Sequence, residues 1–104
     1  VSEAAVLVHN KCQDIPKEAY DVVDYAENNN GRAQENYHGN LPYKNDGRGG
    51  TEILPNPDGT LTFREYDIYQ KGLFSNRGVE RVVIASNGSA WYTPNHYYNF
   101  MQIK

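Results

Sequence analysis

The chain has 104 residues, enough for one domain with a modest core and too few for a second. Its one cysteine, Cys12, excludes an intramolecular disulfide; with no ligand spacing among His9, His38 and His96, no zinc site is expected either. The net charge of −3 argues against a protein that coats nucleic acid, and no apolar run reaches the length of a membrane span.

Residues 1–12 read as an N-terminal extension of uncertain structure that includes the apolar stretch Ala4 to Val8. No signal peptide opens the chain, and the start at Val1 reads as a mature or excised domain. Next comes the clearest helix. Asp14 is placed to cap it, Pro16 falls in its first turn, and Glu18 and Asp21 suit the positive end of the helix dipole. Ile15, Ala19, Val22, Val23 and Ala26 recur at helical spacing and form one apolar stripe. Asn28-Asn29-Asn30-Gly31 ends the helix, with Gly31 free to turn left-handed.

Arg32 to Pro57 is polar and rich in Gly, Asn and Pro. A short second helix is expected near Arg32 to Tyr37, and Lys44 to Gly50 reads as an irregular loop. From Leu61 the texture is β. Leu61 to Tyr69 alternates, with Leu61, Phe63, Glu65, Asp67 and Tyr69 on one face. Val79 to Ala85 is a β-branched run, Ser86-Asn87-Gly88 a hairpin turn, Ser89 to Thr93 the returning strand and Tyr97 to Ile103 a last one. The predicted class is α+β: an N-terminal helix packed on one face of a four- to five-stranded antiparallel sheet, the other face left open. Val22, Ile68, Val82, Ile84 and Phe100 are the expected core.

Up to Thr60 acids outnumber bases; from Leu61 Arg64, Lys71, Arg77, Arg81 and Lys104 face only Glu65, Asp67 and Glu80. A phosphate site therefore belongs in the C-terminal half. Glu65 and Arg81 are equidistant from Leu73, so a turn centred there makes them cross-strand neighbours. Arg77 lies four residues before Arg81, and His96 lies in a turn before the last strand. A lone Glu–Arg pair is usually structural, and a loop histidine is usually inert. Together they match a specific need. Cleaving RNA takes a base for the 2′-OH proton, an acid for the departing 5′-oxygen and cations for the phosphate.

The surrounding residues carry a resemblance. It runs through Ile15-Pro16-Lys17-Glu18-Ala19, Tyr43-Lys44-Asn45 and Leu54-Pro55. It is strongest in Phe63-Arg64-Glu65-Tyr66-Asp67, Asn76-Arg77-Gly78-Val79-Glu80-Arg81 and Asn95-His96-Tyr97-Tyr98-Asn99-Phe100. These segments, in this order from residue 15 to the end, resemble the microbial guanyl-specific ribonucleases, which include barnase and the Streptomyces and fungal enzymes. The resemblance implies one ribonuclease domain over 1–104, with Glu65 as general base, His96 as general acid, Arg77 and Arg81 on the phosphate, and Tyr97 positioning the scissile group. It implies transphosphorylation to a 2′,3′-cyclic phosphate, then slow hydrolysis, without cofactor or metal. Acid and base in opposite protonation states would give a bell-shaped dependence on pH.

The resemblance also places a guanine site at the loop opened by Tyr43, with Asn45 and Glu52 near the base and Asp46 in reserve, because Asp46 to Thr51 intervenes before Glu52. That loop's wording looks more like the ribonuclease domains of bacterial secreted and contact-dependent toxins. This implies delivery into a target cell, action on cytoplasmic RNA, a monomer when free and an acidic immunity protein over Arg77, Arg81 and His96. A chain without disulfides suits passage in an unfolded state. Three other functions compete: a non-catalytic RNA-binding module whose tyrosines stack bases, an enzyme specific for one structured RNA, and an inhibitor or structural domain.

Overall fold

A computed structural model describes residues 15–72 and 78–104. The N-terminal extension, the Asp14 cap, Cys12, Leu73 and Arg77 lie outside the described residues. Helix α1 spans Lys17–Asn28; Pro16, extended, is its N-cap in place of the expected Asp14, and so lies before the first turn rather than in it. The helix buries Ala19, Val22, Val23 and Ala26 of the expected stripe, while Ile15 lies before the helix and packs partly buried against them. Twelve residues are marginal as an isolated helix, so this stripe's burial is what holds it. At its end the Gly31 N–H donates to the Ala26 carbonyl at 2.8 Å, and Gly31 has φ +84°.

The expected helix from Arg32 to Tyr37 does not form. The segment is a turn, with Tyr37 N–H donating to Gln34 O and Asn36 left-handed at φ +68°. Its backbone is engaged elsewhere: Asp67 N–H donates to His38 O at 2.9 Å and Lys71 N–H to Asn36 O at 2.7 Å. Gly39 lies so close to the Tyr66 ring that a Cβ would sit 2.7 Å from it. This strand-like docking outweighs local helix propensity.

Five strands follow: β1 Leu41–Tyr43, β2 Phe63–Asp67, β3 Arg81–Ala85, β4 Ala90–Thr93 and β5 Met101–Gln102. They form one antiparallel sheet in the order β1-β2-β3-β4-β5. β1 was not expected; it is three residues at the edge, where its proline is tolerated. The hairpin at Ser86-Asn87-Gly88 forms as predicted, with Gly88 at φ +93° and its N–H on Ala85 O. The last strand is shorter than expected, because residues 96 and 97 are wound into a turn with positive φ.

One sheet face packs on α1 through Tyr66, Ile68, Val82, Ala90 and Tyr92. Val22, Ile68 and Val82 are buried as expected, while Ile84 is only partly buried against them. The other face is not open. Leu54, Phe63, Val83, Ala85, Trp91 and Tyr97 form a second core, and Phe100 packs partly buried there rather than under the helix. Glu65 and Asp67 project from this second face, because they alternate with Phe63 along β2.

Candidate active site

Glu65 sits half-buried on the interior strand β2. Its direct partner on β3 is Val83, not Arg81. The β2–β3 register is centred one position later than Leu73, so Arg81 pairs with Asp67 and is a diagonal neighbour of Glu65 on the same face. Asp67 and Arg81 are both buried, with 3.1 Å between Oδ1 and Nε. The Nε–H is not aligned for a hydrogen bond, so this contact is ionic. Arg81 Nη1 donates to the carbonyls of Glu80 at 2.9 Å and Gly78 at 3.2 Å. Its guanidinium is thereby fixed from two sides.

The Tyr97 hydroxyl donates to Glu65 Oε1. Tyr97 is buried to 8 % exposure, and that burial, together with the Glu65 carboxylate, drives its phenol pKa well above the ordinary value; Arg81 works the other way. The phenol therefore stays a donor. His96 is exposed, with its ring 4.7 Å from that of Tyr97. Glu65 at the hydroxyl and His96 at the ring thus share one phenol side chain.

Two successive non-glycine residues with positive φ, His96 at +61° and Tyr97 at +80°, make this a strained turn. Thr93, wholly buried at the end of β4, holds it. Its hydroxyl accepts the N–H groups of Tyr97 at 3.0 Å and Asn95 at 3.3 Å and donates to Asn95 Oδ1. Asn95 exchanges further bonds with Asn99, and His96 N–H donates to Val79 O at 3.0 Å. The strain is offset by these bonds.

The expected base-recognition residues divide. Tyr43 lies with its ring 4.7 Å from Tyr97 and 6.3 Å from Phe100; burial raises its phenol pKa, partly offset by a hydrogen bond with Thr51. Asn45 clamps the loop: its amide accepts Leu54 N–H at 2.7 Å and donates to Leu54 O at 3.1 Å. Its side chain shapes the site rather than reaching out from it. Glu52 docks on the turn that bears His96, its N–H on Tyr97 O and its Oε1 accepting Phe100 N–H at 2.8 Å. Asp46 is turned back on its own loop, accepting Arg48 N–H at 3.0 Å.

The structure brings Glu65, Arg81, Tyr97 and His96 to one site, with Tyr43 and Glu52 on its border. Asp67 and Thr93 were not foreseen as parts of it. Asp67 shares the Glu65 face by simple alternation and was detectable; the role of Thr93 depends on a turn geometry that the sequence does not announce. Among the described residues no three His, Cys, Asp or Glu side chains gather as a metal-holding group.

A family model described as ribonuclease matches residues 4–104. The chain belongs to the microbial guanyl-specific ribonuclease family. The fold of this microbial ribonuclease is similar to that in the crystal structure of ribonuclease Sa2 with guanosine-2′-cyclophosphate, with a TM-score of 0.55 and 20% identity over 88% of each chain. No curated protein sequence matches it. Among the described residues no helix of the ribonuclease is long and apolar enough to cross a membrane.

Proposed function

We propose that this ribonuclease is an endonuclease that cuts single-stranded RNA by transphosphorylation, with Glu65 as base and His96 as acid. The observation that carries this is the juxtaposition of a half-buried carboxylate and an exposed imidazole around Tyr97, beside the fixed Arg81 guanidinium. Glu65 removes the 2′-OH proton. The 2′-oxygen attacks the adjacent phosphorus, the P–O5′ bond breaks, and His96 gives its proton to the leaving 5′-oxygen. Arg81 meets the charge that develops on the phosphoryl oxygens, with Arg77 as the second cation of the proposed set. Water then opens the 2′,3′-cyclic phosphate with the two roles reversed.

Preference for guanosine rests on the loop from Tyr43 to Glu52. The Asn45 clamp holds its backbone, and a Glu52 carboxylate can accept from guanine N1–H and N2–H, which adenine does not offer together. Asp46, engaged with Arg48 as Glu52 is with Phe100, is the reserve candidate. The same loop's wording supports a toxin domain that is monomeric when free and acts on RNA inside a target cell. An acidic immunity protein would cover Arg77, Arg81 and His96, its carboxylates standing in for substrate phosphates.

The test is incubation with RNA and with GpN, ApN, UpN and CpN dinucleotides in EDTA, followed by identification of the product ends. Cyclic phosphates chiefly after G are expected. Near-full activity of His96→Gln would overturn the site assignment, and equal rates on all four dinucleotides would remove the guanine preference alone. Binding of RNA without cleavage would favour the non-catalytic module.

A further inference from the structure

The sheet rung that bears Arg81 extends one strand beyond the ion pair. Arg81 pairs with Asp67 on β2 and with Thr93 on β4, so one row across three strands carries a carboxylate, a guanidinium and a hydroxyl. Thr93 is wholly buried where β4 ends. A hydroxyl has one donor and two acceptor sites. Thr93 uses all three on the turn that bears His96: it accepts the N–H groups of Asn95 and Tyr97 and donates to Asn95 Oδ1. That Oδ1 also accepts Asn99 N–H at 3.0 Å, and the Asn95 amide donates to Asn99 Oδ1, so the turn is closed from both ends.

The two residues inside the turn depend on this network unequally. Tyr97 has other anchors. Its ring packs on Tyr43 and in the second core, its hydroxyl is on Glu65, and its carbonyl accepts Glu52 N–H. His96 is exposed, and its imidazole makes no hydrogen bond among the described residues. Apart from the ring of Tyr97 beside it, its place is set by its own backbone, which has φ +61° and an N–H on Val79 O. A left-handed φ in a non-glycine residue persists only where the surroundings impose it. The N–H groups held by Thr93 belong to the residues on either side of His96.

We propose that Thr93 is the positioning residue of the proton donor: its buried hydroxyl holds His96 in the conformation that presents the imidazole to the departing 5′-oxygen. The proposal rests on the catalytic reading above, in which His96 is the acid. Loss of the hydroxyl would then impair protonation of the leaving group and spare proton removal by Glu65. A hydroxyl that served only the fold would affect both steps alike.

The experiment compares GpU with guanosine 3′-(4-nitrophenyl phosphate), whose leaving phenolate needs no proton. Wild type, Thr93→Val, Thr93→Ser and His96→Gln are assayed on both. Thr93→Val keeps the shape and removes all three bonds. Its kcat/KM on GpU should fall about ten- to hundredfold, mostly in kcat, while the aryl ester is cut nearly as by wild type. Activity on the ester also shows that the variant folds. Thr93→Ser should restore GpU cleavage, and His96→Gln should show the same split more strongly. No loss, equal loss on both substrates by a folded Thr93→Val, or a Thr93→Ser as impaired as Thr93→Val would overturn the proposal. If Thr93→Val does not fold, Asn95→Ala takes its place and must show the split. If wild type cuts neither substrate, or His96→Gln shows no split, the catalytic reading fails instead. Hydrogen exchange of the Tyr97 amide then decides the hold on the turn separately. That hold stands if exchange quickens about tenfold or more in Thr93→Val while the amides of β2 and β3 keep their rates, and falls otherwise.

Discussion

Asp67 stands directly opposite Arg81 in the β2–β3 ladder, and the buried ionic contact between them is 3.1 Å long. The guanidinium beside Glu65 is therefore already neutralised in part by a second carboxylate. Asp67→Asn leaves Arg81 buried without its counter-charge, which costs about 3–5 kcal/mol of stability. Urea denaturation should show a lower midpoint at unchanged slope. Arg81, no longer held by Asp67, should act more fully on Glu65, so the acid limb of kcat/KM should move to lower pH. A limb that stays in place while stability falls would confine Asp67 to a structural role.

Tyr97→Phe keeps the ring in the second core and removes the donor to Glu65. A hydrogen bond to a charged group contributes about 1.5–3 kcal/mol, so kcat/KM on GpU should fall by roughly one to two orders of magnitude. Without that donor the carboxylate is harder to ionise, and the acid limb should move to higher pH, opposite to the Asp67 variant. Steady-state kinetics from pH 4 to 8 would separate the two.

Asn45→Ala removes both side-chain bonds to Leu54. The loop should lose its fixed shape while Glu65 and His96 keep theirs. The expected result is a fall in the GpU to ApU ratio by about tenfold, mostly through KM. A variant that loses activity equally on both dinucleotides would place Asn45 in support of the catalytic turn instead.

Tyr43, Tyr66, Tyr69, Tyr92 and Tyr97 all have phenols pushed above the ordinary value of 10, chiefly by burial. The folded state thus favours the protonated phenol. The stability this contributes is complete below pH about 10 and is lost as pH rises towards the folded-state values. Absorbance at 295 nm should show these phenols ionising together with loss of near-ultraviolet circular dichroism. Ionisation of all tyrosines before any unfolding would contradict the burial described.

The strand that bears Glu65 was legible because alternation alone puts Glu65 beside Phe63 and Asp67, and the helix because its stripe has one period. The register was not legible. Moving the centre of the β2–β3 connection by one position exchanges Asp67 for Glu65 as the partner of Arg81, and nothing local to either strand encodes that choice. β1 was missed because three residues including Pro42 have no periodicity to read. The closed second face was missed for a different reason. Leu54 is held there by the Asn45 clamp beside the bonds of Glu52 to Tyr97 and Phe100, more than forty residues away, while the turn at Asn36 is held by Lys71, thirty-five positions away.

The sheet order β1-β2-β3-β4-β5 also bears on kinetics. No strand crosses over another, so each pairing joins chain neighbours, and β2 to β5 can zip up as consecutive hairpins at small loop-closure cost. The bonds that seat Glu52 on Tyr97 and Phe100 span more than forty residues and close a far larger loop. A refolding chain should therefore align Glu65 with Arg81 early and seat the loop proposed for base recognition late, passing through a stage that has the proposed catalytic strands in register before that loop is in place.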